Sequence, residues 1–462
     1  MGDLNRILVE SVDLEAQGVA HLPSEAGEIG KVVFIEGALP GELVTYRVTR
    51  EKARFQKARV EQVLIPASYR RKPPCQWYEA CGGCTMQHMD MRAQIAIKQR
   101  VLEDNLRHLG KVQPEMILRP LLGPEWQYRY RARFSVVNRS IKKGTVLVGF
   151  HERKRSYVVD MTSCEIVPKF VSDLLKPLRA LILGLSVRDR VPQIELAIGD
   201  LEIGSNRAVK QEQPVLVIRH LLPLTDEDKS QLEAFAKEHG VWLWTQSHGN
   251  ETAKPFYPTA GKLAYQLPEF GVEIPFRPTD FTQVNHPMNR SLVGRAVRLL
   301  DPQSDERVLD LFCGIGNFTL PLATQAKAVL GIEGSRELTQ RAVENAKHNH
   351  LEDRVSFKEA NLFEVNPDIV KSWGHATKWL IDPPRDGAMA LSEALAELSK
   401  SSRVEDLSYL PKRIVYVSCN PSTLARDAGI LVNQAGYSLL KAGVMNMFPH
   451  TSHVESIAVF ER

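Results

Sequence analysis

Cys419 ends the run Arg413-Ile-Val-Tyr-Val-Ser and is followed at once by Asn420-Pro421. Core cysteines usually sit within an apolar strand, whereas a thiol at the strand's end points to a functional role. Asp382 holds the matching place after Trp379-Leu-Ile, ahead of the rigid Pro383-Pro384-Arg385. Its plainer role would be a turn cap. A third strand, Arg307-Val-Leu-Asp-Leu, runs into Phe312-Cys313-Gly314-Ile315-Gly316-Asn317, and a fourth, Ala328-Val-Leu-Gly-Ile, ends in Glu333. Glycines at such a turn let backbone approach a ligand, and an acid about 20 residues further on can accept hydrogen bonds from ribose hydroxyls. Thr319 stands where a dinucleotide site has its third glycine, which argues against a nicotinamide cofactor. Asp310, Phe312 and Asn317 better suit adenosylmethionine, which has no pyrophosphate to cradle. Cys313 is expected to be a small packing residue.

A second set of chemical groups lies far upstream. Cys75, Cys81 and Cys84 are clustered, with Gly82-Gly83 between the last two, and Cys164 follows some 80 residues later. In a chain expected to remain in the cytosol, such spacing points to metal binding or catalysis before disulfides. Four thiolates can hold zinc or a four-iron cluster, and spacing alone leaves both open. It is not the three-then-two spacing of radical adenosylmethionine enzymes.

These groups need elements to carry them. Strand-like runs fill the first 66 residues or so, among them Val32-Val-Phe-Ile, Glu42-Leu-Val-Thr-Tyr-Arg-Val and Ala58-Arg-Val-Glu-Gln-Val-Leu. They predict a small β-barrel. From about Met91 to Leu109, Ile95, Ile97, Val101, Leu102 and Leu106 recur at helical spacing with charges between them. Arg129-Tyr-Arg-Ala-Arg-Phe-Ser-Val-Val alternates as a half-buried strand should, with three guanidinium groups on one face. Residues 150 to 280 read as mixed α/β, and the last 180 or so alternate strands with helices as a doubly wound sheet does.

The 462 residues carry 59 Lys and Arg against 55 Asp and Glu, a balance that is ordinary in sum and uneven in place. Arg47, Arg50, Lys52, Arg54, Lys57 and Arg59 share their segment with only Glu51. Arg119 to Arg155 is similarly basic. Two such fields in one half suit a polyanion such as nucleic acid. No run approaches the roughly 18 apolar residues of a membrane span, and the start lacks a signal-peptide apolar segment. A cytoplasmic protein without membrane partners is expected.

Taken together, Asp310-Leu-Phe-Cys-Gly-Ile-Gly-Asn317, Asp382-Pro-Pro-Arg385, Ser418-Cys-Asn-Pro421, Pro449-His-Thr-Ser-His-Val-Glu455 and Asp280-Phe-Thr-Gln283-Val-Asn285 resemble the RNA (uracil-5-)-methyltransferase family. The resemblance implies a multidomain α/β chain in four parts. Residues 1–66 would form a TRAM-like, RNA-binding barrel. Residues 67–90 and 119–280 would form a central mixed α/β domain with an iron–sulfur insertion. Residues 91–118 would supply a helix packed on the catalytic domain, and 281–462 a Rossmann-like methyltransferase domain. Barrel and cysteine segment together are most like the member acting on 23S rRNA; the relative acting on tRNA typically lacks both.

By the same resemblance, Gln283, Phe312, Asn317, Glu333, Asn361 and Asp382 would contact S-adenosylmethionine. Cys419 would be the nucleophile and Glu455 the base. Cys75, Cys81, Cys84 and Cys164 would hold a [4Fe–4S] cluster in preference to zinc. The polar stretch from Ser399 to Ser408 departs from the family pattern and is expected to be a surface loop. The target uridine must be unpaired or flipped out, because a paired base hides its reactive edge. A monomer is expected. The alternatives are the same chemistry on tRNA or another rRNA site, or a non-catalytic RNA-binding or ribosome-assembly factor. Cys419 and Glu455 separate these, since a pure binder needs neither.

Overall fold

A computed structural model describes residues 6–13, 15–23, 30–202 and 210–462. At the N-terminus, strands Gln17–His21, Val32–Glu36, Leu43–Glu51 and Phe55–Ile65 pack Ala20, Val33, Ile35, Val44, Tyr46 and Ala58 inward. Arg6–Leu8 pairs with Leu43–Glu51, while Ser11–Val12 pairs with Gln17–His21. One bent stretch, residues 6–12, thus forms both end strands of the sheet and bridges them. The basic segment lies in the long hairpin of the third and fourth of these strands, not at a free edge. Its tip exposes Arg50, Lys52 and Arg54, while Arg47 and Arg59 pair with Glu61 and Glu79.

The central sheet has 8 strands, with Gln193–Glu202 and Lys210–Arg219 antiparallel at its middle. Alternation sorts its faces. Ile194, Leu196, Ile198, Leu216 and Ile218 meet helices Lys169–Gly184 and Asp226–His239, whereas Ala197, Val215 and Val217 face the catalytic half. Strand Arg131–Arg139 buries Ala132, Phe134 and Val136 and leaves Arg133 exposed, as its alternation predicts. Arg131 sits deeper than its polar face implies.

The C-terminal sheet also has 8 strands, in the order Val355–Glu359, Ala328–Glu333, Arg307–Leu311, Lys378–Ile381, Arg413–Ser418, Glu455–Glu461, Ser438–Met445 and Met116–Ile117. Neighbours run parallel as far as Arg413–Ser418; the last strand of the chain is then inserted antiparallel. The four inner parallel strands, from Ala328–Glu333 to Arg413–Ser418, are buried on both faces, which explains their continuous apolar runs, whereas the edge strand Val355–Glu359 is largely exposed. Chain order reverses on either side of Arg307–Leu311, which opens a crevice at the strands' C-terminal ends.

Residues 91–117 belong physically to this sheet. Helix Met91–Asn105, begun by the side chain of Asp90 on the N–H of Ala93, buries Ile95, Val101 and Leu102 in the catalytic core. Met116–Ile117 adds an edge strand beside Ser438–Met445. The buried face of the helix also carries Gln94 and Lys98, the latter one of the charges between the apolar positions. The stretch expected as a loop from Ser399 to Ser408 contains a helical turn, Val404–Leu407, anchored by Asp406 to Lys371 and Ser401.

Candidate active site

The glycine turn after Arg307–Leu311 is built from left-handed residues. Phe312, Gly314 and Gly316 have φ of 63°, 55° and 97°, and the cost at Phe312 is met by the buried structure around it. The N–H of Gly314 donates to Glu333 Oε2 at 3.0 Å and that of Ser335 to Oε1 at 2.9 Å. Glu333 is thereby fixed beside the turn with acceptor capacity to spare. Asp310 lies beneath it, fully buried. Thr319 donates to its Oδ2, and burial still pushes the carboxyl up to about 8. Thr319 therefore has a structural use at the place where a dinucleotide site requires glycine. Cys313 is buried in packing, as expected.

Asn317 is held by Asn289 in a reciprocal amide pair at 2.9 and 3.1 Å and by the Tyr265 hydroxyl at 2.9 Å. Asn361 is exposed and turns its Oδ1 to the N–H of Phe363. The Phe363 ring meets Phe312 edge-on at 5.7 Å, so two aromatic rings flank the turn. Gln283 is half-buried ahead of helix His286–Leu300, which Asn285 caps, and Phe281 beside it is 72% exposed.

Sheet register brings thiol and carboxylate together. Ser418 pairs with Ser456; Cys419 follows the first and Glu455 precedes the second, which brings thiol and carboxylate close enough for Glu455 to act on Cys419. Beyond Cys419, Asn420 caps helix Pro421–Asn433, with proline in its first turn. Asn420 Nδ2 and Thr423 Oγ1 both donate to the Arg385 carbonyl, at 3.0 and 3.2 Å. The turns after Asp382 and around Cys419 are thus tied together.

The electrostatics follow from burial. Cys419 is pushed up to about 11 by desolvation, then by Glu455 and Asp382, with the Arg385 guanidinium opposing. Glu455 is pushed up to about 8 by burial, raised further by Asp382 and eased down by Lys98. Asp382 is half-buried, and desolvation lifts it to about 7. A carboxyl so placed favours a cationic ligand.

The loop delivering Glu455 is braced from outside the sheet. Lys98 Nζ donates to Asn446 Oδ1 at 3.0 Å and to the Phe448 carbonyl at 2.9 Å. The Tyr128 hydroxyl reaches the Pro449 carbonyl at 2.8 Å, and Trp126 stacks on His450 at 3.7 Å. The N–H groups of Thr85 and Met86, directly after Cys84, donate to the His450 carbonyl at 2.8 and 3.0 Å. The sequence reading gave no role to Gln94 or Lys98, and held His450 only as part of the Pro449–Glu455 motif. The step from Gln94 to Lys98 to Val101 along one helix face was the signal available.

Cys75, Cys81, Cys84 and Cys164 line one small cavity with Trp77, Tyr78, Phe150 and Met161. Gly83 donates its N–H to Cys81 Sγ at 3.4 Å, and a Cβ on Gly83 would come within 3.5 Å of that sulfur. The four thiols therefore share one cavity, with one backbone N–H directed to a sulfur. Among the described residues, no three His, Cys, Asp or Glu side chains are gathered tightly enough to hold one metal ion. No helix of the described residues is long and apolar enough to cross a membrane.

A family model described as tRNA (Uracil-5-)-methyltransferase matches residues 268–462, and a TRAM-domain model matches residues 2–60. The 23S rRNA (uracil(1939)-C(5))-methyltransferase RlmD of Polynucleobacter necessarius is 60% identical over 463 residues, covering 99% of this chain and 97% of that protein. The chain belongs to the RNA (uracil-5-)-methyltransferase family. RlmD of Cupriavidus necator is 59% identical over 454 residues, covering 98% of this chain and 99% of that one. Pyrococcus abyssi tRNA (uracil-54, C5)-methyltransferase, solved in complex with S-adenosyl-L-homocysteine, shares the fold, with a TM-score of 0.71 at 21% identity over 99% of this chain and 100% of that one. The family's N-terminal barrel and C-terminal methyltransferase fold are thus both present.

Proposed function

We propose that this protein methylates carbon 5 of a uridine in 23S rRNA, at the position equivalent to uracil 1939 named for its relatives, with S-adenosylmethionine as donor. The observation that carries the reading is Cys419 and Glu455 brought together at the adjoining ends of Arg413–Ser418 and Glu455–Glu461.

Bound there, the donor supplies an electrophilic methyl group on a sulfonium. Gln283, Phe312, Asn317, Glu333, Asn361 and Asp382 would hold it, Glu333 toward the ribose and Asp382 toward the positive end. Uracil carbon 5 is a weak nucleophile. Addition of Cys419 at carbon 6 makes an enolate with its density on carbon 5, which then takes the methyl group. Glu455 removes the carbon-5 proton, and the thiolate leaves as the ring double bond re-forms. A carboxyl with a raised pKa is a suitable base near neutrality once ionised. Burial favours the protonated thiol at rest, so its proton passes to solvent as the sulfur adds, and Arg385 favours that change.

The uridine is flipped out of its helix, with exposed Phe281 as a stacking platform. Arg129 and Arg385 both act on His453 at the rim, where phosphates would pass. The domain division follows the same reading: barrel 1–66 for RNA, 67–90 and 119–280 for the cysteine segment and central sheet, 91–118 packed on the catalytic domain, and 281–462 for transfer. All these site residues come from one chain, which suits a cytoplasmic monomer. Cys75, Cys81, Cys84 and Cys164 hold a [4Fe–4S] cluster in a structural role, because methyl transfer moves no net electrons. Four equivalents of iron and visible absorbance after anaerobic purification support the cluster; stoichiometric zinc in colourless protein excludes it.

The deciding experiment compares variants on 23S rRNA from cells lacking this protein. C419A should give neither methylation nor adduct, and E455Q should accumulate a covalent protein–RNA adduct. Normal turnover by either variant overturns the reading.

A further inference from the structure

Helix Met91–Asn105 lies more than 180 residues before the catalytic domain's own strands begin, yet it brings a lysine amine to complete burial beside Glu455. A buried ammonium is costly and persists only where partners justify it. Two of the three Lys98 donors are spent on Asn446 and Phe448, in the loop that leads to Glu455. The groups facing Glu455 are Asp382 from the end of Lys378–Ile381, Cys419 from the end of Arg413–Ser418, and Lys98 from the helix. Of these, only Lys98 stabilises the carboxylate. Lys98 in turn is felt by Glu455, His450 and His453.

We propose that Lys98 is a positioning residue for adduct resolution, whose amine tethers the Asn446–Phe448 loop and favours the ionised form of Glu455 needed to take the carbon-5 proton. This rests on the reading of Glu455 as base. Burial and Asp382 both push Glu455 toward its protonated, useless form, and the amine opposes them. Reciprocally, Glu455 favours the charged amine, while burial drives Lys98 down to about 7. Without Lys98, Glu455 should need a higher pH to ionise.

The test separates tether from charge. K98Q keeps amide donors that can reach the loop and removes the charge; K98M removes both. Each is assayed with S-adenosylmethionine and 23S rRNA from cells lacking this protein, following adduct formation and adduct release separately across pH. The expected result for K98Q is adduct formation near the wild-type rate and release slowed at least about tenfold at neutral pH. Its rising pH limb should move up by about one unit, tenfold per unit below the limb. Combining K98Q with E455Q should slow release no further than E455Q alone, since both act on one step. A K98Q release profile coincident with wild type overturns the proposal. Equal loss of formation and release at every pH also overturns it, leaving a tether only. Normal turnover by E455Q would instead sink the base assignment itself, whatever K98Q does.

Discussion

Gln94 grips His450 at two points: its Oε1 accepts the His450 backbone N–H at 2.8 Å, and its Nε2 donates to the His450 ring Nδ1 at 3.1 Å. The other ring nitrogen donates to the Glu125 carbonyl at 2.9 Å, so the ring is neutral with its proton on Nε2. Burial supports this by pushing His450 down to about 4. A helix, the stretch before the central sheet and the cysteine segment thus converge on the loop that ends in Glu455. The catalytic strand does not position its carboxylate alone.

Replacing Gln94 with leucine leaves a buried N–H and a ring nitrogen unpaired. The expected cost is about 1–3 kcal/mol of stability, the usual penalty for orphaning a buried polar group. Turnover should fall while S-adenosylhomocysteine affinity stays put, because the cofactor crevice lies beyond this contact. Thermal melts and calorimetric titration of the variant check both statements.

The raised carboxyl of Glu455 has consequences of opposite sign for activity and stability. Turnover should rise with pH through about 8, as the base ionises. Stability should run the other way. A carboxyl whose folded pKa exceeds its unfolded one binds protons more tightly when folded, so its contribution is greatest in acid and is lost as pH rises through the folded value. E455Q should therefore melt higher than wild type, and by more at pH 8.5 than at pH 5. Melts at the two values decide it.

Asp382 is expected to distinguish a sulfonium from a thioether. D382N should weaken S-adenosylmethionine by about tenfold or more and S-adenosylhomocysteine by much less, since only the former is cationic at sulfur. Parallel titrations of the two ligands supply the comparison.

Arg153 joins three parts of the molecule. It donates to Glu36 in the barrel at 3.2 Å and to the carbonyls of Tyr78 and Cys84 at 2.9 and 2.8 Å, with its guanidinium 4.9 Å from the Tyr78 ring. R153A should make the barrel more susceptible to limited proteolysis and weaken rRNA binding, with a destabilisation of about 2 kcal/mol from the carbonyls left unpaired. Unchanged cleavage and affinity would refute this linking role.

Strand ends carrying Asp382 and Cys419, the glycine turn and Glu333 were legible in the chain because each depends on local pattern: an apolar run, then turn residues, then a helix start. The four cysteines and the basic hairpin were legible for the same reason, being matters of residue type and spacing. Glu455 was legible only through likeness to a family, since nothing local marks that glutamate as a base. Its place near Cys419 is a product of antiparallel register between Arg413–Ser418 and the last strand. Register is decided by how two distant segments fit one core, which no local spacing encodes.

Lys98 and Gln94 show the other limit. On a helix whose apolar residues already account for its periodicity, polar residues between them read as solvent-facing. Their burial depends on what the helix packs against, and here the partner is a loop near the end of the chain. Residue types and local order therefore set the reaction class, the strand ends and the candidate thiols. The protonation of Glu455 and the brace that holds it were decided only when remote segments excluded water around them, because electrostatic strength depends on surroundings that folding alone creates.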